Sequence, residues 1–155
     1  MKKKILILGI AFATLASCQK KEEKQVVTEK EMEQPEVSVS SKDCYLYVKA
    51  KDTVKLTLIT ANGNNVSGDL VYNFFEKDKN SGTVSGMFKG DTLYADYTFQ
   101  SEGMSSTRET VFIKKGNTLV EGFGEITEKD NKQVFKDKKT LKFDGSVVLN
   151  KVDCK

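Results

Sequence analysis

Apolar and polar residues alternate with a period of two over most of the chain beyond residue 44, and this pattern restricts the fold more than any other feature. In "TVKLTL", Val54, Leu56 and Leu58 alternate with polar residues, and the same alternation runs through "GDLVYNF", "TLYADYTF" and "TLKFDGSVVL". Such alternation indicates half-buried antiparallel strands. No window shows the period of a helix over three turns. The last of these segments aligns Leu141, Phe143, Val147 and Leu149 on one face.

Clusters of Gly, Asn and Asp separate the alternating segments at hairpin spacing. "AKDT", "ANGNN", "EKDKNSG", "KGDT", "SEGMSS", "KKGNT" and "EKDNK" all tolerate the positive φ angles of turns, and "KGD" and "KGN" predict tight hairpins. Consecutive hairpins without long crossovers predict a meander of about eight to ten strands. The predicted strands are residues 44–50, 53–60, 66–76, 82–89, 92–101, 106–115, 118–127, 132–136 and 139–152.

The first 17 residues, "MKKKILILGIAFATLAS", have the architecture of a secretory signal peptide. Lysines at positions 2 to 4 form a basic cluster, and residues 5–16 are apolar apart from Thr14. This apolar run is too short to cross a hydrocarbon core, which needs roughly 20 residues. A basic region, a short apolar region and small residues in this order predict a signal peptide of residues 1–17.

"LASC", from Leu15 to Cys18, resembles the lipobox of bacterial lipoproteins. In that family the cysteine thiol receives a diacylglycerol, the chain is cut before the cysteine, and the new amine is usually acylated. The resemblance implies that Cys18 is lipidated and holds the protein on a membrane, because two or more acyl chains anchor stably. Gln19 stands where enterobacterial lipoproteins retained in the inner membrane have Asp, so we expect an outer-membrane lipoprotein of the cell envelope.

The segment after Cys18 predicts a tether. "QKKEE", residues 19–23, resembles the tag that exports Bacteroidetes lipoproteins to the cell surface, and the alternative is a charged tether facing the periplasm. Residues 19–42 are charged, lack aromatic residues and contain the only proline, Pro35. Such a composition buries too little apolar surface to offset its ordering entropy. We expect residues 18–42 to form a lipidated tether, or a segment that folds on a partner, and residues 43–155 to form one domain.

The apparent positive charge of the chain belongs to the leader. Removal of its three lysines leaves 22 of the 25 basic residues, against 22 acidic residues. The mature chain also has no basic patch with interleaved aromatic residues, so we expect no nucleic-acid partner.

Cys44 and Cys154 remain once Cys18 is assigned to the lipid, and they lie near the two ends of the predicted domain. An even pair in an exported protein is expected to be oxidised. The alternatives are two free thiols or a metal site, and the metal site is disfavoured because the chain has no histidine. We expect neither a metal nor another cofactor.

A Cys44–Cys154 disulfide would place the first and last strands side by side, which closes the meander and removes its free edges. The sequence therefore predicts an all-β domain, an antiparallel meander that forms an up-and-down barrel or a curved sandwich of lipocalin-like architecture. A barrel of this size holds either packed side chains or one small ligand.

The inferred inner face carries large side chains, of which Tyr72, Tyr97 and Phe99 are the candidates for lining a ligand. Glycines on the same face either open space for a ligand or allow the strands to curve, the second being their ordinary structural role. The inner face comprises Leu70, Tyr72, Phe74, Phe88, Tyr97, Phe99 and Phe143, with Gly68, Gly86, Gly122, Gly124 and Gly145.

Catalytic chemistry finds little support in the sequence. There is no histidine to serve as a base, and the three cysteines have other roles. Glu121 and Glu125 share a strand face, but at ~3.3 Å per residue they lie about 13 Å apart, too far for a glycosidase pair. They are interpreted as solvated edge charges. Arg108, the only arginine, is interpreted as a surface residue, with an Arg-anchored site as the alternative. We therefore expect no enzymatic activity.

"DTV" and "DTL" match the Asp-Thr-apolar signature of O-glycosylation in Bacteroidetes, with Thr53 and Thr92 as acceptors. The alternative is structural, since Asp ends a turn and the β-branched Thr opens a strand.

Most of residues 44–126 resembles small, uncharacterised outer-membrane lipoproteins of the Bacteroidetes type. The resemblance is carried by "CYLYVKAKDTVKLTL", "GDLVYNFFEKDKNSGTVSG", "KGDTLYADYTFQSEG" and "LVEGFGEI", and it implies no particular activity. A weaker similarity is to lipoprotein inhibitors of lysozyme, whose Ser-Gly-x-x-Tyr motif is approximated by "SGDLVY", Ser67 to Tyr72, with the tyrosine displaced.

These observations favour a lipid-anchored, non-enzymatic binding or structural module at the outer membrane, on its periplasmic or its surface face. Its partners would be the membrane, through the lipid, and an unidentified protein or small apolar ligand. One alternative is a carrier that holds a small apolar ligand inside the barrel. The other is an inhibitor of lysozyme or another hydrolase that inserts a loop such as "EKDKNSG" or "SEGMSS".

Overall fold

The structure, a computed structural model, describes residues 39–101 and 103–155. The predicted signal peptide, Cys18 and the tether up to residue 38 lie outside the described residues. In the part of the chain that is described, no helix is long and apolar enough to cross a membrane.

Ten β-strands make up most of the described chain, with short 3-10 helices at Asn62–Asn64 and Lys138–Thr140. The strands are β1 (Val39–Lys49), β2 (Asp52–Ala61), β3 (Asn65–Asn73), β4 (Asn80–Lys89), β5 (Thr92–Ser101), β6 (Met104–Lys115), β7 (Thr118–Glu121), β8 (Ile126–Lys129), β9 (Lys132–Phe135) and β10 (Val148–Val152).

The predicted strands agree with β1 to β6 to within about five residues, and the predicted strand 132–136 agrees with β9, whereas the other two later strands need correction. The predicted strand 118–127 is two strands, because the chain leaves the sheet after Glu121 and returns at Ile126. Of the predicted strand 139–152, only Val148–Val152 is strand. β1 begins at Val39, within the segment that the sequence assigned to the tether.

Eight strands close into an antiparallel barrel in the order β1-β2-β3-β4-β5-β6-β7-β10. Consecutive strands pair from β1 to β7, and β10 then lies between β7 and β1. β8 and β9 form a hairpin outside this ring, joined to β6 through one parallel pair, Arg108 with Gln133. The predicted all-β closed barrel is confirmed, and the added hairpin is the feature that the meander pattern did not contain.

Inward-facing residues fill the barrel. Val54, Leu56 and Leu58 of β2 are at most 2% exposed, whereas Lys55 between them is exposed. Leu70, Tyr72 and Tyr97 belong to the same core, with Phe74, Phe88 and Phe99 packed against it. Phe143, predicted on the inner face, lies outside this cluster because the segment before β10 is not a strand.

Gly68 and Gly86 allow the strands to curve. A Cβ atom would lie 1.8 Å from the Thr57 carbonyl oxygen at Gly68 and 2.1 Å from the Tyr94 carbonyl oxygen at Gly86, so no other residue fits without backbone movement. Both glycines stand where a neighbouring strand approaches closely, which is the structural role rather than an opening for a ligand.

The seam made by β10 has the shortest pairing in the ring. β10 pairs with β1 over three residues and with β7 over three, whereas β1 and β2 pair over ten. The predicted Cys44–Cys154 disulfide crosses this seam, with the two Cα atoms 5.3 Å apart. Lys151 Nζ of β10 also lies 2.6 Å from Asp43 Oδ1 of β1. The disulfide therefore reinforces the ring where hydrogen bonding contributes least.

Reduction of this disulfide should lower the free energy of unfolding by about 5 kcal/mol, because the closed loop of 110 residues then regains its entropy in the unfolded chain. Urea unfolding of the oxidised protein, with and without a reducing agent, measures this difference. The Cys44→Ser/Cys154→Ser variant should match the reduced protein and should not respond to the reductant. Equal midpoints for oxidised and reduced wild type would contradict the role assigned to the bond.

Candidate functional site

A half-enclosed pocket of about 280 Å³ lies between one end of the barrel and the β8–β9 hairpin. Strands β3, β6, β8 and β9 contribute residues to its walls, as do the end of β7 and the segment after it. The pocket is mixed in character. Its polar lining includes Tyr72, Arg108, Thr110 and Glu121, and its apolar lining includes Phe74, Phe123, Ile126, Phe135 and Val147.

Strand register places the polar residues inside the barrel. Phe112 of β6 and Leu119 of β7 are fully buried core residues. Because side chains alternate between the two faces of a strand, Thr110 and Arg108 share the inner face with Phe112, and Glu121 shares it with Leu119. Arg108 and Glu121 therefore lie on the inner face of the barrel, near its end, on the same face as the apolar core residues.

Glu121 and Tyr72 join opposite walls of the barrel. The Tyr72 hydroxyl donates a hydrogen bond of 2.6 Å to Glu121 Oε1, and β3 and β7 lie opposite each other in the ring of eight strands. Glu121 is only 5% exposed, and its second oxygen, Oε2, is buried without a hydrogen bond of ordinary geometry among the described residues. The carboxyl group also interacts with the Thr110 hydroxyl, which lowers its pKa. One carboxylate oxygen is therefore bound by Tyr72, and the other is buried without a full hydrogen bond.

Burial raises the pKa of both Glu121 and Tyr72. Desolvation raises the pKa of the Glu121 carboxyl group above its usual 4.5. Desolvation also raises the pKa of Tyr72 well above 10.0, and the charge of Glu121 adds to that shift. Tyr72 therefore keeps its proton and remains a hydrogen-bond donor in this cluster.

Arg108 lies against aromatic rings instead of a carboxylate. Its guanidinium carbon is 4.9 Å from the ring centroid of Tyr72, 5.5 Å from that of Tyr97 and 5.7 Å from that of Phe99. Cations over ring faces are held by the ring quadrupole. Among the described residues, no carboxylate oxygen lies within 4.0 Å of this guanidinium group, so its hydrogen-bonding edge has no anionic partner.

Tyr72, Tyr97 and Phe99, the three predicted ligand-lining residues, do come together, but as a packed cluster. The rings of Tyr97 and Phe99 stack at 4.8 Å, and those of Tyr72 and Tyr97 meet edge to face at 5.7 Å. Tyr97 is fully buried, and burial raises its pKa to about 12. Of the three, only Tyr72 borders the pocket, and Tyr97 and Phe99 do not. The pocket therefore lies at the end of the barrel and not in the aromatic cluster.

Glu109 holds the hairpin that forms the outer wall of the pocket. Its Oε2 accepts a 3.0 Å hydrogen bond from the Phe135 N–H of β9, and its Oε1 accepts one of 2.8 Å from Lys138 Nζ. Burial raises the pKa of Glu109, but these two hydrogen bonds and the charges of Lys138 and Lys132 together leave it lowered. Lys132 of β9 adds an ion pair with Asp96 of β5.

Two sequence interpretations are wrong at this site. Glu121 is a buried residue at the barrel end and not a solvated edge charge, whereas Glu125 is exposed and pairs with Lys136 at 3.0 Å. Arg108 is half-buried against the aromatic cluster and not a surface residue. Both residues lie at alternate positions with the core residues Phe112 and Leu119. That signal is masked because Val111 and Val120, on the opposite face, are also apolar and buried.

The other predicted residues lie away from the pocket. Thr53 and Thr92 stand at or next to the first residues of β2 and β5 and are half-buried. Ser67 is exposed on β3, paired with Ile59 and Ser85 on either side, and is therefore a strand residue and not part of a loop. Within residues 39–101 and 103–155, no cluster of three or more His, Cys, Asp or Glu residues is arranged to hold a metal ion.

No protein-family model, curated protein or solved structure matches this chain at a significant level. The function is therefore argued from the site and the sequence.

Replacing Glu121 by Gln should change how stability depends on pH. Because the pKa of Glu121 is raised on folding from 4.5, its proton stabilises the folded state below that pH, and this contribution is lost as the pH rises through the folded pKa. The stability of Glu121→Gln relative to wild type should therefore increase as the pH rises. Urea unfolding from about pH 4 to about pH 8 measures this difference.

Glu125→Gln is the matched control, since Glu125 is an exposed carboxylate four residues along the chain. Its stability difference from wild type should vary little over the same range. A Glu121→Gln difference that stays constant or falls with rising pH would contradict the burial of an unpaired carboxylate oxygen.

Proposed function

We propose that this protein is a lipid-anchored, non-enzymatic β-barrel of the outer membrane that acts as a binding module, with the pocket at the barrel end as its ligand site. The observation that carries the proposal is the pair of charged residues, Arg108 and Glu121, that border this pocket at the barrel end. Glu121 is buried, and neither residue forms an ion pair within 4.0 Å among the described residues. Buried charged groups are normally paired, so these two favour a ligand that pairs them.

The anchor is supported by the sequence. The lipobox-like "LASC", the signal-peptide architecture before it and the charged segment after it together favour a lipid on Cys18 and a tethered domain. Binding is favoured over catalysis because the two glutamates considered as a catalytic pair face different surroundings. Glu121 lies inside the barrel, and Glu125 is bound to Lys136 at the surface.

The pocket favours a different ligand from the one expected of a hollow barrel. Packed rings occupy the barrel at Tyr72, Tyr97 and Phe99, which argues against a purely apolar molecule held in the interior. An inhibitor acting through Ser67 is disfavoured as well, because a serine paired on both sides within a sheet is poorly placed to enter an enzyme cleft.

Loss of the lipid-bearing cysteine should release the protein from the membrane. The wild type should fractionate with the outer membrane, and Cys18→Ala should not, because the acyl chains that anchor it are missing. Cys154→Ala, which breaks the disulfide and leaves Cys18 intact, should remain in the membrane fraction. Protease shaving of intact cells then distinguishes the surface from the periplasmic face. Recovery of the wild type in the cytoplasm would refute the proposed anchor.

A molecule that binds the folded barrel should raise its midpoint of thermal unfolding, because ligand binding to the native state stabilises it. Titration of the full-length protein in detergent with the low-molecular-mass fraction of the native cell envelope tests this. The midpoint should rise for wild type and for Lys114→Gln, an exposed residue of β6, and should stay constant for Arg108→Gln. No rise with wild type, or an equal rise with Arg108→Gln, would overturn the pocket as the binding site.

A further inference from the structure

The two unpartnered groups of the pocket have complementary requirements. The Arg108 guanidinium group carries five N–H donors and no acceptor, and its planar fork matches a carboxylate. An ionised Glu121 offers acceptors only, and its free oxygen needs a donor. A single ligand that satisfies both groups must therefore present an acceptor and a donor.

The arrangement favours a ligand between the two groups over a direct ion pair. Arg108 is held over the rings of Tyr72, Tyr97 and Phe99, and Glu121 is held by the Tyr72 hydroxyl at 2.6 Å. Both groups are fixed by aromatic residues, and no Arg108–Glu121 contact lies within 4.0 Å among the described residues. The opposite charges thus border one cavity without a direct contact, although the charge of Arg108 lowers the pKa of Glu121.

A second buried group supports the presence of a ligand. Thr110 of β6 is only 2% exposed and borders the same pocket. Its hydroxyl makes no hydrogen bond of ordinary geometry among the described residues, although it interacts with Glu121 and Tyr72 and lowers the pKa of both. Buried hydroxyl groups are normally hydrogen-bonded. Thr110 lies two residues from Arg108 on the inner face of β6, so it can bind the same part of a ligand.

The remaining walls are apolar, and the volume is small. Phe74, Phe123 and Phe135 border the pocket, and a volume of about 280 Å³ is near the lower end of the range for small-molecule sites, ~300–1,000 Å³. This combination suits a molecule the size of one amino acid or a dipeptide, with charged groups at one end and an apolar side chain at the other.

We infer that the pocket binds a zwitterion of the amino-acid type, either a free amino acid or a very short peptide with an apolar side chain. Its carboxylate pairs with Arg108, its ammonium group donates to Glu121 Oε2, and its side chain lies against the phenylalanines. This inference rests on the proposed binding function and narrows it to one class of ligand.

Three probes that share a phenylethyl group test the inference by isothermal titration calorimetry with the full-length protein in detergent. L-phenylalanine carries both charges, 3-phenylpropionate only the carboxylate, and 2-phenylethylamine only the ammonium group. L-leucine and L-phenylalanyl-glycine cover a smaller and a longer zwitterion. The best zwitterion should bind at least tenfold more tightly than either singly charged probe.

Two variants should remove this preference selectively. In Arg108→Gln the advantage of L-phenylalanine over 2-phenylethylamine should disappear, and in Glu121→Gln its advantage over 3-phenylpropionate should disappear. Lys114→Gln and Glu125→Gln, two exposed charges outside the pocket, should keep the wild-type order. Circular dichroism of each variant tests whether it folds. If a charge variant does not fold, Thr110→Val replaces it, because it removes only a hydroxyl group that borders the pocket and should weaken binding of the zwitterion.

The inference is overturned if no zwitterion binds, if a singly charged probe binds as tightly as the zwitterions, or if the variants leave the order unchanged. If the zwitterions fail while the envelope fraction still raises the unfolding midpoint of wild type and not of Arg108→Gln, the ligand class is wrong and the binding function stands. If the envelope fraction fails too, the proposed function fails with it.

Discussion

Closure of the sheet by β10 is the constraint on which the rest of this molecule depends. Seven consecutive strands form a meander with two free edges, and β10 fills the gap with only three paired residues on each side. The Cys44–Cys154 disulfide and the Lys151–Asp43 ion pair cross this short seam. Closure brings β3 and β7 to opposite walls, so that Tyr72 and Glu121, 49 residues apart, form a hydrogen bond across the barrel. The floor of the pocket exists because the ring is closed.

The end of the barrel is built differently from its centre. Toward the middle, inward-facing side chains are mainly aliphatic and aromatic, with the Tyr97 hydroxyl buried among them. At the end, the same inward positions carry Arg108, Thr110 and Glu121, and the β8–β9 hairpin covers them. Burying a carboxylate with an unpaired oxygen destabilises a fold. Core packing alone does not require a buried carboxylate near a guanidinium group that makes no direct ion pair.

The hairpin also depends on charge. β9 contacts the barrel through a single ladder pair with β6, which is too little to fix its position alone. Glu109 supplies the missing contacts by accepting hydrogen bonds from Phe135 and Lys138, and Lys132 pairs with Asp96 on β5. The outer wall of the pocket is therefore attached by carboxylate–lysine contacts, while the inner wall is formed by the barrel core.

The sequence by itself determined the strands of the first two thirds of the domain, much of their inner face and the cysteine pair at the seam. A period of two with turn residues between the segments is a local property, so Val54, Leu56 and Leu58 were identified correctly as core, and counting cysteines identified Cys44 with Cys154. The tertiary structure decided where the charged residues point. Glu121 and Arg108 lie in segments with apolar residues on both faces, since the outward-facing Val111 and Val120 are also buried. Local alternation therefore cannot distinguish the inward face from the outward face in these segments. Closure of the ring and the covering hairpin bring the two charged residues to one pocket.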